Sequence, residues 1–295
     1  MTTQGQPGQG AGALLARALG SWRARLLFGL GALLGAVAYT LRIRLPEVLE
    51  NLARAFPGLP EQERRRIARA CYESLGRTLA EVALSRTLGD AEFGAWVSFD
   101  GFEKVTGALG EGRGVVCALA HFGNWEVLGR AGAVRGVQLS AITKKLEGPW
   151  NGWLLKTRKQ GGLVELGEKG VSAQAVAVLR RPGVLGVLVD QNMRRKRGIF
   201  VDFFGVPACT TPAAAVYAQR AGAVLLAGFP TRQADGRIVV KMVGPFAPAP
   251  GLHGSAATQD LTQQVTRAVE EAVRGAPEQW LWLHRRWKTR PESPR

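Results

Sequence analysis

The chain has 295 residues, enough for one large domain or two small ones, and its 46% apolar and 21% charged residues exclude wholesale disorder. Lys and Arg number 39 against 23 Asp and Glu, a net charge of +16 that suits nucleic acid, an anionic membrane surface or an acidic protein partner. A mean hydropathy of -0.01 excludes a polytopic membrane protein. Cys71, Cys117 and Cys209 lie too far apart for a metal knuckle or a disulfide framework, which suits a reducing compartment.

Met1 to Gly12, rich in Gly and Gln, reads as a loose tail. Leu26 to Leu41 follows as 16 residues without a charge, with Arg23 and Arg25 before it and Arg42 and Arg44 after it. As a helix it spans roughly 24 Å at about 1.5 Å per residue, short of the hydrocarbon core of about 30 Å. Cations at both ends suit a helix lying in the membrane interface. A buried core helix and a signal peptide are the competing readings. Ala36-Val37-Ala38 has the small-x-small look of a cleavage site, but the lead-in is long and Arg42 and Arg44 follow at once.

Glu47 to Ala55 reads as a short helix closed by Phe56-Pro57-Gly58. Pro60 opens a longer one, with Glu61 and Glu63 where the helix dipole favours negative charge. Ile67, Cys71, Leu75, Leu79 and Val82 recur as one buried stripe. Beyond about residue 100 the pattern alternates. Gly114–Ala120, 137–142, 184–189, 223–229 and 237–243 read as strands. Segments near 124–134, 149–160, 171–181, 211–221 and 258–274 read as helices. The expected class is α/β, a largely parallel central sheet flanked by helices, preceded by a helical N-terminal region with a membrane-associating helix. The division falls at 1–98 and 99–295, with no internal repeat and no separating linker.

Three histidines are present. His253 lies in a Gly/Pro-rich loop and reads as exposed; His284, among tryptophans and arginines, reads as packing or surface. His121 ends the apolar run Val115 to Ala120, at the carboxyl end of a strand, where open α/β sheets place ligands. Gly123 allows a tight turn, and Asn124 or a neighbour opens the next helix. With His121 in the turn and Glu126 in the first helical residues, the carboxylate reaches back to the imidazole as general base and orienting acid. The nearby helix N-terminus keeps the ring neutral. A purely structural histidine–carboxylate pair is the alternative on spacing alone. The sequence has no Gly-x-Ser-x-Gly elbow, no His-Glu-x-x-His and no phosphate-binding Gly-x-x-x-x-Gly-Lys loop, and Cys117 reads as packing within a strand.

Ala120-His121-Phe122-Gly123-Asn124-Trp125-Glu126 resembles the His-x4-Asp/Glu motif of glycerolipid-type acyltransferases, most of all the late lauroyl/myristoyl transferases of lipid A biosynthesis. Further blocks follow in order: Glu50-Asn51-Leu52 with Ala55-Phe56-Pro57, Asp190-Gln191, Gly198 to Gly205, Thr210-Thr211-Pro212, and Pro277 to Trp280 with Trp282 and His284 to Arg286. They cover roughly residues 20–290. Each block is weak alone; the ordered set is specific. Asp202 stands where many members have proline.

The resemblance implies transfer of a fatty acyl chain from acyl carrier protein or acyl-CoA to a hydroxyl of a glycolipid acceptor, at the cytoplasmic face of the inner membrane. It implies no metal and no other cofactor. His121 then deprotonates the acceptor hydroxyl and Glu126 steadies the imidazolium, with no acyl-enzyme. Arg158 falls where the family has a site arginine, as oxyanion or phosphate contact, against a solvated helix-face arginine. Asp190, again at a strand's carboxyl end, holds Arg158 or His121, or is structural. Asn124 is an oxyanion donor or, as favoured, a helix cap. Phe203 and Phe204 line the acyl tunnel or pack in the core. Arg194, Arg195, Lys196 and Arg197 form a solvated loop or dock acyl carrier protein or anionic lipid; Arg285, Arg286, Lys288 and Arg290 form a second basic cluster. An acceptor such as a phosphatidylinositol mannoside is the runner-up. A nucleic-acid-binding protein rests on charge alone, without a binding motif, and no nucleic acid is expected as partner. A scaffold that lost its chemistry is disfavoured by the intact His121 and Glu126.

Overall fold

The computed structural model describes residues 7–143, 150–167 and 170–292. Four helices come first: α1 Pro7–Gly20, α2 Trp22–Thr40, α3 Leu45–Ala55 and α4 Glu61–Ser85. Alternation then begins with α5 Asp90–Trp96, β1 Val97–Asp100, α6 Glu103–Gly110, β2 Val115–Leu119, α7 Leu128–Ala133 and β3 Leu139–Ile142. It continues through α8 Trp150–Gln160, β4 Val164–Leu166, α9 Val171–Arg180 and β5 Val184–Leu188. A hairpin of β6 Ile199–Phe203 and β7 Val206–Thr210 precedes α10 Ala213–Ala221, β8 Val224–Arg232, β9 Ile238–Phe246 and α11 Gly254–Gly275.

Seven strands form one sheet in the order β1-β9-β8-β2-β5-β3-β4. Every pairing is parallel except β8 with β9. The physical cause is visible in β2. All five of its residues are buried, as a strand covered on both faces requires. Its alternation sorts the core into two layers. Val115, Cys117 and Leu119 face the layer under α5, α6 and α7, with Phe93, Trp96, Val105 and Met242. Val116 and Ala118 face the layer built by α3, α4, α9, α10, α11 and the C-terminal tryptophans.

The expected strands and helices from Glu47 to Val82 and beyond residue 100 are present, with the helix near 124–134 split into a short 3-10 turn, Trp125–Val127, and α7. Residue 149 lies outside the described residues. Several elements were not expected: α5, α6, β1, β4 and the β6–β7 hairpin are short, and in so few residues a period hardly shows. The N-terminal stretch is not a tail throughout, since α1 begins at Pro7. On α4, Ile67, Cys71 and Val82 are buried, but Leu79 is 55% exposed, because α2 covers the neighbouring face instead.

That cover depends on glycine. Gly31 and Gly35 of α2 meet α4 at Gly76 and Tyr72 so closely that a Cβ on Gly76 would lie 2.0 Å from the Gly31 carbonyl oxygen. The outward face of α2 leaves Leu26, Leu30, Leu33, Leu34 and Val37 exposed, as is Leu41 just after it. The buried-core-helix reading of Leu26 to Leu41 therefore fails. Among the described residues no single helix is long and apolar enough to cross a membrane; α2 and α3 meet that length only together, and they bend by 87°. The bend passes through Arg42 and Arg44, both in the left-handed region, and the Tyr72 hydroxyl fastens it by donating to the Ile43 carbonyl.

Gly76→Ala is expected to wedge α2 away from α4 and cost about 1–3 kcal/mol, read as a lower midpoint in denaturant unfolding. Gly29→Ala, with nothing within 4 Å of its Cβ position, is the matched control and should not lower it.

Candidate active site

Parallel register brings the site together. Leu119 of β2 pairs with Leu188 of β5, and the Val189 N–H donates to the Leu119 carbonyl at 2.9 Å. His121 and Asp190 are thus each two residues past a matched pair, at the same carboxyl edge. Asp190 is almost fully buried. Its Oδ2 accepts the His121 backbone N–H and the Trp280 indole N–H, each at 2.8 Å, and its Oδ1 lies 2.8 Å from His121 Nδ1. Burial raises the Asp190 pKa, but the His121 ring and these bonds outweigh it and hold the carboxyl below its ordinary range. Burial likewise pulls His121 down; the Asp190 charge and bond, aided by the Glu126 charge, outweigh it, and the net shift is upward.

The bonds select one neutral tautomer. Nδ1–H donates to Asp190, which leaves a lone pair on Nε2, facing the Gln191 side-chain nitrogen at 3.3 Å. Trp125 stands edge-on to the ring, centroids 5.0 Å apart.

Glu126 does not hold the imidazole as expected. Its two carboxylate oxygens accept Arg158 Nη2 and Nε at 2.7 and 2.8 Å, and Oε1 also accepts the Trp125 indole N–H at 3.0 Å. A guanidinium fork offers a carboxylate two parallel bonds where an imidazole offers one. Arg158 is accordingly no solvated helix-face arginine: its side chain is 13% exposed and also reaches Glu165. Of the partners considered for Asp190, the geometry selects His121.

Asn124 does not cap the following turn. It is fully buried, and its Nδ2 donates to Glu81 Oε2 at 3.1 Å. Gly123 has a φ of 56°, and a Cβ there would sit 1.7 Å from the Pro230 carbonyl oxygen, so the turn admits only glycine. Phe203 and Phe204 are core residues. Phe203 packs on Trp280 and Trp287, Phe204 on Phe56 and Trp282. Arg194 to Arg197 are exposed, with Arg195 bonded to the Arg290 carbonyl and Glu292. His253 is exposed. His284 accepts the Asn192 N–H at 2.8 Å, and burial pushes its pKa down to about 4.

Glu81 and Arg232 escaped the sequence reading, and Arg286, read there as part of a basic cluster, is buried. Glu81 on α4 is fully buried and paired with Arg232 at the end of β8. Its signal was a carboxylate between Thr78 and Val82, on the buried side of an amphipathic helix. Arg286 is 1% exposed, donates to the Cys209 carbonyl and Thr210 Oγ1, and burial pushes its pKa down to about 10. All three cysteines are free, and burial raises Cys71 and Cys117 to about 12, so neither is an activated nucleophile. Among the described residues no group of three metal-ligand side chains gathers.

Cavities adjoin the Glu126–Arg158 pair, next to the His121 turn. A polar one of about 420 Å³ is lined by Arg86, Arg130, Thr157, Arg158 and Glu126. An apolar one of about 50 Å³ is lined by Trp125, Glu126, Arg158, Leu119, Leu139 and Gly186. Leu119 and Leu139 also wall the next, of about 40 Å³, which reaches Cys117, Gly228 and Met242.

The α/β sheet thus presents a half-buried, carboxylate-held histidine at its carboxyl edge, with a polar and an apolar cavity beside the neighbouring Glu126–Arg158 pair, and Cys71 and Cys117 are buried, unactivated thiols. The chain belongs to the bacterial lipid A biosynthesis acyltransferase family, whose model matches residues 9–289, and it is an O-acyltransferase. It is 27% identical over 271 residues to the lipid A biosynthesis lauroyltransferase of Escherichia coli (strain K12), covering 91% of this chain and 87% of that one. To the lipid A biosynthesis palmitoleoyltransferase of the same strain it is 26% identical over 270 residues, 89% and 85% of the two chains. To a phosphatidylinositol mannoside acyltransferase of Mycobacterium tuberculosis it is 29% identical over 225 residues, 73% and 69% of the two chains.

The His121–Asp190 pair has a defined pH signature. The raised His121 pKa makes its contribution full below the unfolded value of about 6.5 and lost as pH rises through the folded value. The depressed Asp190 pKa makes its contribution full above about 3.9 and lost as pH falls through the folded value. The stability lost in Asp190→Asn, measured by urea unfolding, is therefore expected to be larger at about pH 5 than at about pH 9.

Proposed function

We propose that this chain transfers a fatty acyl group from an acyl carrier protein or CoA thioester to a hydroxyl of a lipid A precursor. The observation that carries the reading is the Nε2 lone pair of His121, met only by the Gln191 amide at 3.3 Å, with Nδ1 held by a buried carboxylate. Nε2 takes the hydroxyl proton as the oxygen attacks the thioester carbonyl carbon. Asp190 stabilises the imidazolium so formed. Collapse of the tetrahedral intermediate breaks the carbon–sulfur bond, and the imidazolium returns its proton to the departing thiolate. Arg158, held by Glu126, supplies positive charge beside the developing oxyanion. Gln191, whose side-chain nitrogen lies 3.3 Å from Nε2, keeps the ring in register until the acceptor displaces it.

The polar cavity suits a phosphorylated sugar, with Arg86, Arg130 and Arg158 on its walls. The apolar cavities suit the acyl chain, which would run from Trp125 past Leu119 and Leu139 toward Met242. An apolar void offers water no partners and favours a hydrocarbon occupant. Gly186 and Gly228, on the strands flanking β2, leave the space: a Cβ on either would crowd Leu119, at 3.1 and 3.3 Å. Residues 1–98 serve membrane approach, the exposed face of α2 lying in the interface of the inner membrane's cytoplasmic leaflet with Arg42 and Arg44 at its phosphates. The exposed Arg194 to Arg197 loop suits an acidic carrier protein. The mycobacterial relative supports a second reading, the same transfer to a phosphatidylinositol mannoside.

Purified enzyme given acyl carrier protein or CoA donors and each acceptor, with products weighed by mass spectrometry, decides donor and acceptor. His121→Ala is expected to lose about 10²–10⁴ in rate; a variant as fast as wild type sinks the mechanism. Because the base must be neutral, kcat/KM should fall on the acid side with a midpoint above about 6.5. Asp190→Asn should move that midpoint down, since burial then dominates, and reduce the rate. Gly186→Val is expected to cut transfer from long-chain donors by about tenfold or more while sparing short-chain donors; equal loss for both excludes this path for the chain.

A further inference from the structure

The most deeply buried carboxylate outside the reacting pair is Glu81, fully buried on α4 and in contact with neither reacting residue. Its four bonds account for both oxygens. Oε1 accepts Arg232 Nε at 2.6 Å and Arg77 Nε at 3.2 Å; Oε2 accepts Arg232 Nη2 at 2.8 Å and Asn124 Nδ2 at 3.1 Å. Arg232 in turn donates to Ser74 Oγ and Thr78 Oγ1, at 3.0 and 3.1 Å. Its own backbone is gripped from both sides by the Gln279 amide, which donates to the Arg232 carbonyl at 3.0 Å and accepts its N–H at 2.8 Å.

Three arms of this network end on the turn that follows His121. Asn124 is held by Glu81 directly. The Gly123 carbonyl accepts Thr78 Oγ1 at 3.3 Å, and the Gly123 N–H donates to the Gln279 carbonyl at 2.8 Å. The turn is thus fastened at both polar groups of Gly123 and at the side chain of Asn124. Asp190 fastens the other side, at the His121 N–H and ring. Stability alone is a poor reason for the arrangement. A buried ion pair commonly gains nothing over well-packed apolar residues of the same volume, because desolvation offsets the attraction.

We propose that Glu81 and Arg232 are positioning residues: through Asn124 and Gly123 they hold the turn that presents His121 Nε2 to the acceptor hydroxyl. The role rests on His121 being the base. Misplacement by about 1 Å costs rate rather than affinity, so the pair should govern kcat and leave KM alone. Loosening the turn also loosens the His121–Asp190 bond, so the raised His121 pKa should fall back.

The experiment compares wild type with Glu81→Met/Arg232→Met, which removes both charges together, and with Asn124→Ala, which cuts the direct bond from Glu81 to the turn but leaves the ion pair. Enzyme concentration is corrected for the folded fraction by circular dichroism. Both variants are expected to lose about 10- to 100-fold in kcat, with KM for donor and acceptor within about threefold and the acid midpoint of kcat/KM displaced to lower pH. Arg232→Lys should recover part of kcat relative to Arg232→Met. A folded Asn124→Ala enzyme with wild-type kcat and an unmoved midpoint overturns the proposal, even if the double variant fails to fold. His121→Ala assayed alongside separates the two readings. Full activity there removes the base assignment, whereas an inactive His121→Ala beside a fully active Asn124→Ala removes only the positioning role.

Discussion

A carboxylate taken out of water must find donors for its oxygens, and Asp190 finds them in three places. One is the backbone of His121, one is the ring of His121, and one is the indole of Trp280 near the other end of the chain. The strand end, the base and the C-terminal segment are therefore tied at a single point. The tie is extended by backbone bonds: Leu281 N–H donates to the His121 carbonyl and Gly123 N–H to the Gln279 carbonyl. Leaving any of these groups unpaired in the interior would cost about 1–3 kcal/mol. The geometry of the site follows from that penalty as much as from the sheet.

Around this point the chain divides its labour by face. The layer beneath Leu119 and Cys117 keeps voids, because glycines stand opposite on both neighbouring strands. The layer on the other side is filled by Phe203, Phe204, Trp280, Trp282 and Trp287, packed ring against ring. Strand alternation alone separates a face with voids from a solid one, since successive side chains point to opposite sides. The phenylalanines marked from sequence as tunnel or core fall on the solid face for that reason.

The charge surplus of +16 also resolves into positions. Arg158, Arg232 and Arg286 are largely buried, the first two paired with Glu126 and Glu81 and the third donating to the Cys209 carbonyl and Thr210 Oγ1. Arg194 to Arg197 and the arginines at the bend between α2 and α3 remain at the surface. The second group faces outward toward an acidic partner or an anionic surface, whereas Arg232 and Arg286 are consumed internally. Composition counts both alike.

Much was legible in the chain itself. Long apolar runs and amphipathic periods marked β2, β5, β8, α4 and α11, because burial on both faces or on one stripe writes a strong pattern. His121 at a strand's end and the turn glycine after it were legible for the same reason. Short elements such as β1, β4 and the β6–β7 hairpin were not, since three to five residues show almost no period. The pairing within the site was also beyond the sequence. Glu126, five residues from His121, was the natural partner along the chain, yet Asp190, 69 residues away, holds the ring, and Arg158 takes Glu126. Residue types and local periods determined which groups this protein possesses and roughly where its strands end. Which carboxylate meets which cation was decided by the register of β2 against β5 and by the return of the C-terminal segment, because hydrogen bonding is settled by distance in space and not along the chain.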